Sequence, residues 1–207
     1  MITLYIDTSD KDVSIAIIKD KKEINKITKD IPNEHSIYAV PYIKEVLEKS
    51  NLIPQDVDNV MVVNGPGSFT GIRIGLTISK VYAYLLKKDI RAVSSLKALA
   101  LSKNGNYILS LIDAKHDNYY IGLYDSNYNE IINEKFTNLV EIELIIKKYN
   151  PIIVSNTNFK IDNINIEKTE LNIPSIVSYY LNKETENPHS LVPNYLKLPQ
   201  ALENKHD

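Results

Sequence analysis

Short apolar runs between polar turns predict two sets of three β-strands, one set in each half of the chain, and apolar residues recur at every second position in the first two runs. The first set covers residues 2–6, 13–17 and 23–28, and the second covers residues 107–113, 119–124 and 130–136. Polar turns of a few residues separate the strands within each set, which is typical of antiparallel hairpins. Each half of the chain is therefore predicted to open with three antiparallel strands.

Helices and further short strands follow each set in the same order. The first half has helices at 34–49, 71–86 and 96–101 and strands at 60–63 and 90–93; the second has helices at 139–148 and 174–181 and a strand at 152–154. The loop at 103–106 is the best boundary, so we predict two α/β lobes, 1–103 and 104–207. We expect the tail at 188–207, with an amphipathic piece at 195–202, to pack back on the first lobe.

Four of the six glycines in the chain lie between positions 65 and 75. A proline between two glycines, directly after an apolar strand, predicts a tight strand-to-helix turn with unusual backbone angles. Ser68 or Thr70 can then cap the helix that follows. The glycine loop, as we define it, contains Gly65, Pro66, Gly67, Ser68, Thr70, Gly71 and Arg73.

The glycine loop matches neither of two common phosphate-binding patterns. A Walker loop needs a Gly-Lys pair, whereas the nearest cation here, Arg73, lies inside the helix. The dinucleotide fingerprint needs its third glycine one residue before Gly71 and an acidic residue about twenty positions later. Asp89 is a poor candidate for that acidic residue because two lysines precede it directly. We therefore expect neither kind of phosphate site.

The helix after the glycine loop has two stripes of different character. We predict that the apolar stripe faces the core; it consists of Ile74, Ile78, Val81 and Leu85. Beside it runs a stripe of small residues that continues into a tyrosine, namely Gly71, Gly75, Ser79 and Tyr82. Small residues let another backbone approach closely, either from the same lobe or from a second protein. The sequence leaves both possibilities open.

The predicted helix at 34–49 is apolar on more than one face, because nearly all residues from Ile37 to Ile43 are apolar. Pro41 should kink or interrupt its first turns. The helix could be wedged between a sheet and a neighbour. Alternatively, one face covers its own sheet and another, with Tyr38 and Tyr42, covers a partner.

Composition narrows the classes of function. The 207 residues carry a formal net charge of −2, which argues against a stand-alone nucleic-acid binder. The chain has no cysteine, and its four histidines are scattered, so we expect no metal site. It starts directly into a strand without a signal-peptide pattern, and its apolar runs fall short of the roughly 20 residues of a membrane span. A cytoplasmic protein without membrane contact is the expectation.

Two lobes of this plan resemble the actin, sugar-kinase and chaperone ATPase superfamily. The stretch from Gly65 to Leu76 closely resembles the hallmark of the TsaB (YeaZ) family of bacterial tRNA threonylcarbamoyladenosine biosynthesis proteins. Weaker similarities to the same family lie at residues 6–9, 35–36, 41, 93–96, 112–115, 119–124 and 193–197. The first lobe resembles the family throughout, and the second resembles it in patches.

The resemblance implies a non-catalytic role. Proteins of this family pair with a related catalytic subunit, TsaD, and act with an ATPase, TsaE, in threonylcarbamoyl transfer to adenosine 37 of tRNA. The resemblance also implies that two first-lobe helices, mapping to 36–49 and 71–86, bind TsaD. The residues expected to bind the partner are Ile37, Tyr38, Pro41, Tyr42, Gly71, Gly75, Ser79 and Tyr82. ATP and metal are expected on the partner subunits, and the isolated chain is expected to form a homodimer through the same surface.

The cleft between the two lobes lacks glycine where a nucleotide would need it. Phosphate and adenosine sites require turns whose backbone N–H groups can be approached closely. The turn with Asp7, Thr8 and Ser9 has no glycine, nor does the turn after Asp113 or the loop at 154–158. We therefore predict a vestigial nucleotide cleft. Asp7 itself is either a phosphate or metal ligand, or a turn residue that bonds its own backbone.

The preferred hypothesis is thus a two-lobed, actin-like pseudo-enzyme that serves as a scaffold or activator in tRNA modification. The alternative is a small-molecule kinase or ATPase that uses Asp7 and Asp113 as metal-bridging carboxylates. A third possibility is a homodimeric binding module unrelated to tRNA. Under the preferred hypothesis, a bulky residue at Gly75 should break partner binding and leave the fold intact. Because the net charge is −2, tRNA phosphates are expected to be bound mainly by partners.

Overall fold

Residues 1–197 are described by the computed structural model, which places them in two five-stranded mixed sheets with helices. Residues 198–207, which include most of the predicted amphipathic piece and the end of the predicted second lobe, lie outside the described residues. The predicted lobe boundary at 103/104 falls in the loop between the third helix and the sixth strand.

The first sheet has the strand order β3-β2-β1-β4-β5. Its elements are β1 (Ile2–Asp7), β2 (Asp12–Lys19), β3 (Lys22–Asp30), α1 (His35–Lys49), β4 (Asn59–Gly65), α2 (Phe69–Leu86), β5 (Asp89–Ser94) and α3 (Ser95–Ala100). The first three strands are antiparallel, and β4 and β5 run parallel to β1. A short 3-10 turn, Pro54–Asp56, precedes β4 and was not predicted.

The second sheet repeats this order as β8-β7-β6-β9-β10. Its elements are β6 (Tyr107–Asp113), β7 (Asn118–Asp125), β8 (Glu130–Asn138), α4 (Leu139–Tyr149), β9 (Ile152–Ser155), β10 (Glu167–Lys168) and α5 (Ile173–Tyr180). The predicted plan of two similar α/β lobes, each a mixed sheet with helices, is therefore confirmed. The two-residue strand β10 was missed because it is too short to show a period.

Helices cover both faces of the first sheet. Leu4 and Ile6 of β1 point to the face that α1 and α2 cover, whereas Tyr5 points to the opposite face. There Ile176 and Val177 of α5 pack against it, so a helix from the second half of the chain completes the core of the first sheet. Burial on both faces explains why the central strands are apolar almost throughout.

The helix α3 joins the two lobes. Its Ala98 packs in the core under the first sheet, while Leu99 and Ala100 pack with Ile108 and Tyr124 of the second sheet. Both sheets therefore share one short helix as a common packing surface, which holds the lobes together at their junction.

The helix α1 continues from His35 to Lys49 with Pro41 inside it, so the predicted interruption is wrong. Pro41 removes the N–H that would bond the carbonyl of Ile37. Both residues are exposed, so water can reach that carbonyl. The buried face of α1 is formed by Ala39, Ile43, Val46 and Leu47.

The predicted orientation of α2 is also wrong. Its buried face contains the small residues, together with larger apolar ones: Gly71, Ile72, Gly75, Leu76, Ser79 and Ala83. Of the predicted core stripe, Val81 and Leu85 are exposed, at 52% and 68%, and Ile74 and Ile78 are half-buried. The helix thus lies with its small residues against the sheet and presents several bulky apolar side chains outward.

Candidate functional site

The glycine loop packs directly on the turn between β1 and β2. The backbone N–H of Ser68 donates to the carbonyl oxygen of Ser9 at 2.7 Å, and Ser68 Oγ caps α2 by accepting from the N–H of Gly71. A Cβ atom at Gly67 would lie 2.3 Å from the same Ser9 oxygen. Gly65 has a φ of +113°, which favours glycine. The glycines therefore allow close packing of one turn on another.

The small residues of α2 face Thr8 of the same lobe. A Cβ atom at Gly71 would lie 2.0 Å from the Thr8 carbonyl oxygen, and one at Gly75 would lie 2.3 Å from Thr8 Oγ1. Thr8 Oγ1 donates to the carbonyl oxygen of Gly71 at 2.7 Å, and Ser79 is fully buried. The predicted docking face of Gly71, Gly75 and Ser79 is therefore wrong, because their own lobe covers it. A bulky residue at Gly75 should disturb the fold itself.

A cleft of about 700 Å³ lies between the two lobes. Of the predicted cleft residues, Asp7, Ser9 and Asp113 line it, whereas Thr8 packs against α2. Asn156 Nδ2 donates to Asp10 Oδ2 at 2.9 Å and so connects the lobes across the cleft. The loop at 154–158, predicted to lie where adenosine would bind, contributes Asn156, Thr157 and Asn158 to the lining.

Asp7 acts as a turn residue. Its Oδ1 accepts hydrogen bonds from the backbone N–H of Ser9 at 2.9 Å and from Ser9 Oγ at 2.7 Å. Burial raises the pKa of the Asp7 carboxyl group, and the hydrogen bonds from Ser9 only partly offset this effect. The carboxylate is thus held in its own turn, as the second of the two predicted roles requires.

Asp113 occupies the corresponding turn of the second lobe. Its Oδ1 accepts from the backbone N–H of Lys115 at 2.8 Å, and its Oδ2 lies 3.0 Å from Lys115 Nζ. Partial burial opposes ionisation, but these contacts with Lys115 outweigh it and lower the pKa of Asp113. Within residues 1–197, no three His, Asp or Glu side chains converge closely enough to hold a metal ion.

The substitution Asp7→Asn should raise the free energy of unfolding at pH 7. Asparagine keeps the oxygen that accepts from Ser9 and removes a charge that burial disfavours. Because burial raises the pKa of folded Asp7, ionisation lowers native stability as the pH rises above the ordinary value of 3.8. The gain should therefore shrink as the pH falls towards that value. Urea unfolding of both proteins between pH 4 and pH 7 measures it, and a large loss at pH 7 would contradict the turn role.

An apolar surface remains uncovered on α1 and α2. From α1 it includes Ile37, Tyr38 and Val40, and from α2 it includes Val81 and Leu85. Tyr38 stacks on Tyr42 with ring centroids 5.7 Å apart. We call this surface the α1–α2 face. It includes three exposed apolar side chains that the sequence did not assign to a partner, namely Val40, Val81 and Leu85.

The other predicted partner-binding residues differ in position. Pro41 is exposed beside Ile37, whereas Tyr42 and Tyr82 are half-buried and pack against the core below the helices. Tyr82 donates its hydroxyl to the carbonyl oxygen of Pro54 at 2.7 Å, and burial raises its pKa to about 12. The presence of larger apolar residues beside the glycines, at Ile72 and Leu76, was the sequence signal that could have oriented α2 correctly.

Comparisons with known proteins show to which family the chain belongs. The family model described as "TsaD: tRNA N6-adenosine threonylcarbamoyltransferase" matches residues 27–199. A Bacillus subtilis protein named "tRNA threonylcarbamoyladenosine biosynthesis protein TsaB" is 31% identical over 97% of this chain and 96% of its own length. The chain belongs to the TsaB family.

Other relatives support this TsaB membership. The protein of the same name from Buchnera aphidicola subsp. Schizaphis graminum is 36% identical over 70% of each chain. A Pseudomonas aeruginosa crystal structure, described as an uncharacterized protein with similarity to peptidase YEAZ, has the same fold. Its TM-score is 0.80 at 20% identity, and the match covers 95% of this chain and 99% of that one.

None of the helices in residues 1–197 has the length and hydropathy needed to span a membrane.

Proposed function

We propose that this TsaB-family protein is a non-catalytic subunit of the machinery that forms N6-threonylcarbamoyladenosine at position 37 of tRNA. In this proposal its α1–α2 face binds a TsaD-type catalytic subunit and keeps the active-site cleft of that subunit competent for threonylcarbamoyl transfer. The uncovered apolar face on α1 and α2 carries the proposal, because apolar patches of this kind on soluble proteins mark interaction sites. The names of the Bacillus subtilis and Buchnera aphidicola relatives indicate the pathway.

The match to the TsaD model favours a homologous partner. The TsaD family model matches residues 27–199, a range that includes α1 and α2. A TsaD-type protein is therefore expected to carry equivalent helices. Two such pairs can pack together as four helices, and the same geometry allows two copies of this chain to pair when no partner is present. Exposed ion pairs on α1, Lys44 with Glu48 and Lys49 with Glu45, would form part of a polar rim.

The non-catalytic role is favoured by the chemistry of the cleft. Both Asp7 and Asp113 are engaged with backbone and side chains of their own turns. The glycine loop lines the cleft, but the N–H of Ser68 donates to the carbonyl oxygen of Ser9 and the N–H of Gly71 donates to Ser68 Oγ. We therefore propose that ATP and metal chemistry belongs to the TsaD-type and TsaE-type partners, that tRNA is reached through the complex, and that the assembly is cytoplasmic.

The decisive experiment measures the modified nucleoside in cells depleted of this protein. Depletion should lower N6-threonylcarbamoyladenosine in total tRNA at least about tenfold, and the wild-type gene should restore it. A gene encoding both Asp7→Asn and Asp113→Asn should restore it equally, because the proposal gives neither carboxylate a role in catalysis. Nucleoside levels are read by mass spectrometry of digested tRNA.

Two results would contradict the proposal in different ways. Unchanged nucleoside levels after depletion would remove the protein from this pathway. Failure of a stable Asp7→Asn and Asp113→Asn variant to complement would instead favour the kinase or ATPase alternative, in which these carboxylates bridge a metal. Immunoblotting for equal amounts of each variant controls for loss of protein.

A further inference from the structure

A C-terminal segment, residues 186–195, returns to the first lobe and runs beside α2; we call it the strap. At its start, the N–H of Glu186 donates to the carbonyl oxygen of Ile90 at 2.9 Å, and Glu186 Oε1 accepts from the N–H of Ala92. At its end, the N–H of Asn194 donates to the carbonyl oxygen of Asn64 at 2.8 Å. The strap therefore connects the edge of β5 to the start of the glycine loop.

One stripe of α2 contacts the strap at His189, Leu191 and Tyr195. Its members, spaced four, seven and four residues apart, are Phe69, Arg73, Lys80 and Tyr84. Lys80 Nζ donates to the carbonyl oxygen of Leu191 at 3.0 Å, and the ring of Tyr84 packs edge-on against His189 at 4.8 Å. These contacts place the strap on one flank of the helix.

The end of the strap is fixed to the first turns of α2 by an aromatic cluster. Arg73 Nε donates to the hydroxyl of Tyr195 at 2.8 Å, and its guanidinium lies 3.6 Å from the centre of the Phe69 ring. The rings of Phe69 and Tyr195 stack with centroids 5.2 Å apart. Aromatic residues and arginine are the types most enriched in protein interfaces.

The helix α1 lies on the opposite flank of α2. There the half-buried side chains of Ile78 and Tyr82 pack in the same core cluster as Tyr42 of α1. The outward ridge of α2, with Val81 and Leu85, is therefore bordered by α1 on one side and by the strap on the other. A partner that covers this ridge meets both borders.

Glu134 of β8 holds the strap in position. Its Oε1 accepts hydrogen bonds from Ser94 Oγ and, at 2.8 Å, from the hydroxyl of Tyr124. Its Oε2 accepts from Asn194 Nδ2 of the strap at 3.1 Å. One carboxylate thus joins the first sheet, the second sheet and the strap. A segment held in this way loses little conformational freedom when a partner binds.

We infer that the strap is the third element of the partner-binding surface, beside α1 and α2, and that Glu134 is its positioning residue. The occupant is the same TsaD-type subunit, so this inference rests on the proposed function. Exposed apolar side chains on neighbouring elements support it: Val192 is 65% exposed on the strap, and Tyr84 and Phe69 are 59% and 44% exposed on the stripe of α2 that contacts the strap. Tyr84 lies three residues after Val81 along α2 and therefore adjoins the outward ridge with Val81 and Leu85.

A matched pair of valines tests the inference. Val192→Asp should weaken binding of the TsaD-type subunit encoded by the same genome at least about tenfold, because it places a charge in an apolar contact. Val140→Asp should leave the affinity within about twofold, since Val140 is also 65% exposed but lies on α4. Calorimetry with the full-length proteins measures both affinities.

Glu134→Ala tests the positioning role with a second readout. It should increase amide hydrogen exchange in residues 190–195 and weaken the TsaD-type complex, while far-ultraviolet circular dichroism stays unchanged. If Glu134→Ala impairs folding, the experiment uses Asn194→Ala instead. This change removes only the hydrogen bond between Asn194 of the strap and Glu134. Normal exchange in the strap of the folded variant would overturn the role of Glu134.

The outcomes separate the strap from the proposed function. Wild-type affinity for Val192→Asp, together with lost affinity for a Leu85→Asp variant, would overturn the strap inference and leave the α1–α2 face intact. Absence of binding between the wild-type protein and the TsaD-type subunit would overturn both. Weaker binding of Val192→Asp than of Val140→Asp supports the strap.

Discussion

Replacing Gly71 by alanine should lower the free energy of unfolding by at least about 3 kcal/mol. The new Cβ atom would lie 2.0 Å from the carbonyl oxygen of Thr8, and a backbone atom at the end of a central strand cannot move aside easily. Urea unfolding, followed by circular dichroism, measures the loss. Gly105→Ala is the control: the atom nearest to its Cβ would be the tip of the Ile152 side chain at 2.9 Å, and the nearest backbone atom would lie at 3.5 Å. That change should cost less than about 1 kcal/mol.

Gly75→Ala should also destabilise the protein, but by a contact that a second substitution can remove. Here the new Cβ atom would lie 2.3 Å from Thr8 Oγ1 and 3.6 Å from Thr8 Cβ. In a Thr8→Ala background, Gly75→Ala should therefore be nearly neutral, or stabilising because alanine favours helix. Gly71→Ala should remain destabilising in that background, since its obstacle is backbone. Equal rescue of both would show that the spacing between α2 and β1 is adjustable.

Leu85→Asp should weaken binding of the TsaD-type subunit at least about 100-fold while leaving the fold unchanged. Leu85 is 68% exposed in the free chain, so aspartate there meets water before binding and an apolar interface after it. Calorimetry gives the affinity, and thermal unfolding gives the stability. The proposed homodimer should dissociate as well, as read by sedimentation, because it would use the same surface.

Leu144→Asp provides the matched control for this second prediction. Leu144 is 63% exposed on α4 of the second lobe, away from the α1–α2 face. Its substitution should alter neither binding nor self-association. Equal effects of the two leucine substitutions would point to a general loss of solubility, and wild-type binding by Leu85→Asp would exclude the α1–α2 face as the partner site.

Most of the fold could be predicted because short apolar runs between polar turns are a local property of the sequence. Such runs mark β1, β2, β6 and β7, and each strand begins and ends within two residues of its prediction. Repetition of the same order of elements then indicated two lobes of one plan. The packing of α5 on the first sheet could not be predicted in this way, because the sequence of residues 173–180 does not indicate which distant strands the helix contacts.

The sequence led to a wrong orientation of α2, and the reason is physical. The stripe with Val81 and Leu85 and the stripe with Gly75 both run at helical spacing, and hydrophobicity alone favours burying the larger side chains. The close approach of Thr8 reverses this choice, because only glycine fits beside its carbonyl oxygen and hydroxyl. This contact joins residues more than sixty positions apart, so a reading of α2 by itself could not contain it.

The strap was anticipated only as a tail that packs back on the first lobe. Its main contacts use backbone groups, such as the carbonyl oxygens of His189 and Leu191 for Lys80 and of Asn64 for Asn194. Backbone acceptors are present at every residue and leave no mark in composition. The aromatic pair Phe69 and Tyr195 is the exception, but 126 positions separate its members.

The position of α5 has a consequence for synthesis on the ribosome. When the first 103 residues have been made, only α3 is available to cover the side of the sheet with Tyr5, Ile18 and Met61, because the rest of the cover is encoded at 173–180. The nascent first lobe therefore keeps part of this apolar surface exposed until residues 173–180 have been translated. The first sheet is made early, but its core is completed only by a helix that is made much later.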